Sequence, residues 1–417
     1  MSLEWKSCKI GDLGKIFSGG TPSTKIEEYW NGNLNWLSSG ETRNTYIYST
    51  DKYITEKGAE NSSTKLANKG DIVIASAGQG FTRGQSSMVM IDTFVNQSVI
   101  VIHPNEKVNN HYLLYNLKFR YPELRQLSDH ASTRGSLTTK IIKGLDINLP
   151  DLNTQNKIAT IIQYFDKKIE TDKRINKNLE QLIKYIYINW FEEFEPFKDR
   201  DFYDTKLGSI PVGWEVKPLQ DFIKFQEGPG IRNWQYVEKD GINFLNIRCI
   251  QNNDLVLDTA NMISKEEANG KYSHFMLNEW DLVISSSGTL GRYAIVREEH
   301  LPLCLNTSII RFTPMHSFDH YAYVYSYLTS RGFYHYLLTM GSGSVQLNFG
   351  PTHLKQIDLI VPPENILKKY NDLIFPLIQQ MVTIKSEISK LTKLRDTLLP
   401  KLMSGEIDVS KINCDLE

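Results

Sequence analysis

"SIPVGWEVKPLQDF", residues 209–222, stands at the middle of a 417-residue chain and reads like a beginning. A Pro-Val-Gly turn leads into Trp214, a short polar stretch, and then Asp221 followed by an apolar residue, the pattern of a first strand entering a new globular unit. The true N-terminal stretch, "WKSCKIGDLGKIF", has the same plan: Trp5, Asp12 and Leu13 meet Trp214, Asp221 and Phe222 at a constant offset of 209. The match continues along the chain. At an offset of 210, "GDIVIASAGQG" (70–80) meets "WDLVISSSGTL" (280–290), and "NQSVIVIHP" (96–104) meets "NTSIIRFTP" (306–314). At 212, "IKGLDINLP" (142–150) meets "LKQIDLIVP" (354–362). A period this long with small insertions is a tandem duplication of a whole domain and excludes a solenoid of short repeats.

Each copy closes on a segment of a different character. After Pro150 and again after Pro363 the chain is almost free of Gly and dense in Lys, Glu, Ile and Leu, which predicts a long helix in each place. In the second, Leu377, Met381, Ile384, Ile388 and Leu391 step by four and three; in the first, Ile158, Ile162, Phe165 and Ile169 are followed by Leu179 and Ile183, with a polar notch at Asp172 and Asn176. That spacing keeps an apolar seam on one side of a coiled coil. It would equally serve two amphipathic helices, each lying on its own domain. The matched placement, one helix closing each copy, favours a shared antiparallel rod.

Within the copies, "DIVIASA", "SVIVIHP", "DLVISSS" and "SIIRFTP" are short β-rich runs ended by Gly, Ser or Pro. Helical stretches follow at 109–127 and 318–338, so each copy is a mixed α/β domain. The expected organisation is a first domain over 1–150, a long helix over 151–195, a linker over 196–212, a second domain over 213–362, a second helix over 363–404 and a tail over 405–417. The tyrosines of the second helical stretch read as core and rim packing.

Composition narrows the function. With 41% hydrophobic and 23% charged residues the chain is globular, and its four scattered cysteines form neither a disulfide framework nor a zinc ribbon. No apolar leader or spanning segment is present in the sequence, so a soluble cytoplasmic protein is expected. No reaction centre is legible: there is no G-x-x-x-x-G-K-[ST] loop, and the Pro-Pro pair at Pro362 lacks the polar and aromatic neighbours that an adenine methyltransferase needs to hold a flipped base. His316, Asp319 and His320 have ligand-like spacing but no matching third partner, and no metal site is assigned. A binder, not a catalyst, is expected.

The polar loops are where binding would reside. "GQGFTRGQSS" (78–87) and "SSGTLGRYA" (286–294) each place an Arg after a Gly-rich turn, and "HASTRGSLTTK" (130–140) and "MGSGSVQLNFGPTH" (340–353) are rich in Ser, Thr, Arg, Gln and Asn. Such side chains hydrogen-bond phosphate oxygens and base edges, Arg suiting guanine and Gln or Asn suiting adenine. The candidate DNA contacts are Thr21, Thr82, Arg83, Thr133, Arg134, Ser136 and Lys140 in the first copy. In the second they are Arg232, Arg248, Thr289, Arg292, Ser342, Ser344, Gln346 and Asn348. Charge sits uneasily with this: 1–150 carries 17 Lys and Arg against 14 Asp and Glu, whereas 213–362 carries 12 against 15. Arg232, Arg248 and Arg292 are therefore expected on one face with the acids elsewhere.

The order domain, long helix, domain, long helix resembles the specificity (S, HsdS-type) subunit of type I restriction-modification systems over essentially the whole chain. "SGGTPSTKIEEYWNGNLNWLSSGE" (18–41) is similar to the opening of one class of target recognition domain. "WFEEFEP" (190–196) with "IPVGWEV" (210–216) resembles the central junction, and "LRDTLLPKLMSGEIDV" (394–409) the C-terminal signature. The resemblance implies that each domain reads one half of a bipartite site in double-stranded DNA, that the helices act as a ruler, and that two methyltransferase subunits dock on the chain. Those partners would use S-adenosylmethionine, and restriction subunits can join with ATP and Mg; no cofactor belongs to this chain. The rival reading is a DNA-free scaffold bridging two proteins, or the specificity subunit of a related system without separate restriction subunits.

Overall fold

The computed structural model of the chain describes residues 5–78, 80–130, 135–340, 348–410 and 412. It divides into two compact units: Met1–Ile169 with Leu391–Glu417, and Glu170–Lys390. The division passes through both long helices.

In the first unit the strand Lys6–Lys9 pairs antiparallel with Asp146–Leu149, bringing the two ends of the first copy together. A five-stranded sheet follows in the order Gly14–Ser18, Val99–Pro104, Ile72–Ala75, Ser86–Val89, Tyr46–Ile47. The second unit repeats the plan: Glu215–Pro218 pairs with Asp358–Val361, and a four-stranded sheet runs Ile223–Glu227, Ile309–Pro314, Leu282–Ser285, Tyr293–Ile295. Each unit also has a second four-stranded sheet, in which Trp30–Leu37 runs parallel to Thr93–Val95 in one and Ile242–Phe244 parallel to Leu303–Cys304 in the other.

The uninterrupted apolar runs are explained by burial on both faces. Successive side chains of a strand point to opposite sides. Ile72 and Ile74 enter one core and Val73 another; Leu282 and Ile284 enter one core and Val283 another. Helices cover the sheets, and in Tyr321–Leu328 every side chain is buried, so its tyrosines are core. Burial raises the phenol pKa of Tyr321 and of Tyr327 well above the ordinary range.

The long helices run over Leu152–Tyr187 and Glu364–Met403. In the first unit Ile158, Ala159 and Ile162 share a core with Leu402, Met403 and Val409. In the second, Ile183, Tyr187 and Phe191 share one with Ile366, Tyr370, Ile374, Ile378 and Met381. Polar ties match. Arg395 donates to Asp166 at 2.7 Å in the first unit, and Lys385 lies 3.5 Å from Glu180 in the second, so partners descend along one helix as they ascend along the other. The pairing is antiparallel, and the helices also lie on the domains. Of the seam, Ile158, Ile162, Ile169, Ile183, Met381 and Ile384 are buried, while Phe165, Leu179, Leu377, Ile388 and Leu391 are half-buried. Asp172 and Asn176 are buried as well.

Candidate nucleic-acid interface

Both units bring their polar loops to the same place by the same backbone bonds. Ser76 N–H donates to the Ser98 carbonyl at 2.8 Å and Ser286 N–H to that of Ser308 at 2.9 Å, while Leu137 N–H returns to the Ser76 carbonyl at 2.9 Å and Phe349 N–H to that of Ser286 at 3.0 Å. Ser98 N–H and Ser308 N–H are held by the side chains of Asn96 and Asn306, both at 2.9 Å. The loop that leaves the central strand is thus stitched to the later polar loop in each copy. Sequence alignment shows the repeated letters; only the fold shows that these two loops meet.

The contents of the loops differ. Gly84 N–H donates to the Ala75 carbonyl at 2.9 Å and Gly291 N–H to that of Ser285 at 3.0 Å, and each glycine sits beside an aromatic and a leucine, Tyr121 and Leu124 or Tyr334 and Leu337, with Gly291 too close to Tyr334 for a larger residue. Both have φ in the left-handed region, +88° and +74°. These glycines are therefore structural counterparts, and the loop before them spans 76–83 in the first unit but only 286–290 in the second. Arg83 precedes the shared glycine and Arg292 follows it, so the two arginines are not equivalents.

In the first unit Arg83 turns inward. It pairs with Asp129 and donates to the Gly135 carbonyl at 3.0 Å, leaving its side chain 12% exposed. Arg125 donates to the Gly80 carbonyl at 2.9 Å, and Tyr121 donates its hydroxyl proton to the Phe81 carbonyl at 3.0 Å. Thr82 and Ser136 are half-buried beside them, and Lys140 is exposed on the helix Thr139–Gly144. Thr21 is hydrogen-bonded to Gln97, in the same turn as Ser98.

In the second unit two arginines beside the loop face outward. Arg292 and Arg248 are exposed and line one polar groove of about 590 Å³ with Ile250, Gln251, Asn252 and Asn253, and this lining carries no carboxylate. The Arg292 guanidinium also reaches the Ile250 carbonyl at 3.4 Å, and the Arg292 backbone N–H donates to the Ser285 hydroxyl at 2.9 Å. The groove holds two guanidinium forks beside carboxamides, the donor set for purine edges and phosphate oxygens. Its floor is anchored: Lys385 donates to the Asn253 carbonyl at 2.6 Å and Asn253 donates to Glu180 at 3.1 Å, so a turn of the groove is bound to residues of both long helices. Three acids of this unit are paired with other arginines, Asp254 and Glu299 with Arg297 and the buried Asp281 with Arg311. Thr289 and Asn348 are exposed, whereas Arg232 lies apart from the groove at the start of the turn Asn233–Gln235. Thr133, Arg134, Ser342, Ser344 and Gln346 fall outside the described residues.

Sequence reasoning passed over two aromatics and an amide pair. Phe81 is 84% exposed and Trp234 81% exposed, although most large apolar side chains of the chain are covered. The signal for Phe81 was its setting between glycines in "GQGFTRG". Asn252 and Asn253, both at positive φ, were legible as a turn but not as groove residues. No group of three potential metal ligands occurs among the described residues; His316 is bonded to the Asp221 carbonyl and His320 to Glu364. No described helix is long and apolar enough to cross a membrane.

Comparison with known proteins agrees with this architecture. The family model described as the type I restriction modification DNA specificity domain matches twice, over residues 2–181 and 211–393. The MjaIX type I restriction enzyme specificity subunit of Methanocaldococcus jannaschii is 32% identical over 98% of this chain and 95% of its own length. The HindI specificity subunit of Haemophilus influenzae is 22% identical over 97% of this chain and 100% of its own. The crystal structure of the type I restriction-modification system S subunit from M. genitalium shares the fold, with a TM-score of 0.59 at 17% identity over 96% of each chain. Twice-repeated domain, twice-repeated helix and full-length similarity lead to one assignment: the chain belongs to the family of type I restriction-modification specificity subunits.

Proposed function

We propose that this chain is the sequence-reading component of a cytoplasmic type I restriction-modification complex, each unit reading one half of an asymmetric, interrupted site in double-stranded DNA. One observation carries the reading: identical backbone stitching holds the paired polar loops in both units, while the cations beside them differ, an inward, half-buried Arg83 in one and, in the other, an open groove that Arg292 shares with Arg248 of the turn Ile247–Cys249. A common frame with unlike loops is what two different half-sites require. The helices hold the two readers at a set separation and carry two methyltransferase subunits, and restriction subunits add to that assembly. Adenine methylation with S-adenosylmethionine and DNA cleavage with ATP and Mg belong to those partners, and this chain brings no cofactor.

The test is to combine the chain with its methyltransferase subunits, map the methylated adenines, and measure binding to duplexes carrying that motif. An interrupted, asymmetric motif is expected. Arg248→Ala or Arg292→Ala should cost about 1–3 kcal/mol of binding and relax base choice in one half-site only. A continuous or palindromic motif for the intact chain, or methylation that proceeds equally well without it, would refute the reading.

A further inference from the structure

The longer loop of the first unit carries a phenylalanine that the described residues leave almost wholly uncovered. Its backbone is braced from below: Arg125 holds the Gly80 carbonyl at 2.9 Å, Tyr121 the Phe81 carbonyl at 3.0 Å, and Gln85 N–H the Thr82 carbonyl at 3.1 Å. Arg83 and the neighbouring Arg125 are thereby engaged on backbone oxygens and, for Arg83, on Asp129. Among the described residues of the loop, the Phe81 ring is on the outside, 84% exposed. A lone exposed apolar side chain is ordinary on a protein surface. One held at the tip of a loop by an arginine and a tyrosine is not, because such bracing fixes the ring's root while leaving its whole face unsatisfied.

The second unit supplies an internal control. Its loop is three residues shorter before the shared glycine, and the residue at the Arg83 position is Leu290, which is buried in the core at 7% exposure. No aromatic tip exists there, and the cations Arg248 and Arg292 line an open groove instead. The two copies have therefore exchanged roles at one loop: cation inward and ring outward in the first, aliphatic inward and cation outward in the second.

We propose that the first unit engages its half-site through Phe81, acting as a wedge that inserts its ring at a base step of the duplex, while the second relies on hydrogen bonding from its arginine groove. Phenylalanine is among the side chains that partly unstack a base step, and every base offers a π-face to it. The proposal rests on the DNA-reading function above.

It is tested on the full chain in complex with its methyltransferase subunits. The probe is a duplex carrying the mapped motif with 2-aminopurine at successive positions of the first half-site. The wild-type complex should raise fluorescence at one step. Phe81→Ala should abolish that rise and weaken binding about 10- to 100-fold without changing the salt dependence, since no charge is removed, and Phe81→Trp should retain both. Binding by Phe81→Ala within about twofold of wild type, with the fluorescence rise intact, would overturn the wedge. So would loss of methyltransferase subunits from the Phe81→Ala complex, which would place the ring against a protein. If the wild-type complex binds the mapped duplex no better than a scrambled one, the DNA-reading function itself falls, and the wedge with it.

Discussion

Lys385 carries its ammonium group almost out of reach of water, and burial drives its pKa below the usual lysine range against the opposing pull of Glu180. Replacing it by Met would strand Glu180, itself only 17% exposed, and leave the Asn253 carbonyl without its donor. Breaking one side of a buried pair costs about 3 kcal/mol or more, because the remaining charge loses its partner. Lys385→Met should therefore lower the urea midpoint of the chain, and Glu180→Gln with Lys385→Met should recover part of the loss, which equilibrium unfolding of the single and double variants will measure. Pairs of this kind were not legible in the sequence. Nothing in the letters joins residues 180, 253 and 385, since a salt bridge across that separation is created by the fold. The arginines make the same point differently: Arg83 and Arg292 sit in look-alike motifs, but an insertion of three residues puts them on opposite sides of the shared glycine, one facing carbonyls and the other solvent.

At the level of elements, the strands and both long helices were readable because their patterns are strong and repeated. The buried line of the second helix was less so. The heptad reading chose Leu377, whereas Ile374 and Ile378 are the residues fully covered. A 3.5-residue repeat describes a helix that touches one partner; this one lies between a partner helix and the flank of a domain, so its apolar face is broader and its most buried line drifts with the 3.6-residue turn. If readout lives in the loops and separation in the helices, adding or removing one helical turn within 157–188 should shift the permitted spacer between half-sites and leave the bases unchanged. Methylation mapping of the altered chain gives the answer directly. An unchanged spacer would show that the helices do not set the distance.

For the whole molecule, the duplication told of two domains but not of how each is finished. The end of the first helix and the end of the second occupy corresponding places: Phe191 closes the core of the second unit and Met403, 212 residues on, closes that of the first. Each unit is thus completed by the helix of the other copy. A fragment of residues 1–206 should expose Ile158 and Ile162 and recruit the 183–191 segment of a second fragment in place of the missing Leu402 and Met403, because covering each such side chain is worth roughly 1.5–3 kcal/mol. Sedimentation should find a dimer at micromolar concentration, and with methyltransferase subunits the fragment should modify a palindrome built from the first half-site. A monomer, or an asymmetric motif, would count against interchangeable halves. The same completion has a consequence in time. Synthesis runs from the N-terminus, and Leu402, Met403 and Val409 leave the ribosome about 10–50 s after the rest of the first unit's core at ordinary elongation rates. Until then the nascent first unit waits with one side of its core open, and a message cut short before the last helix leaves both units of that chain unfinished on their own, so that only a second copy could supply the missing side.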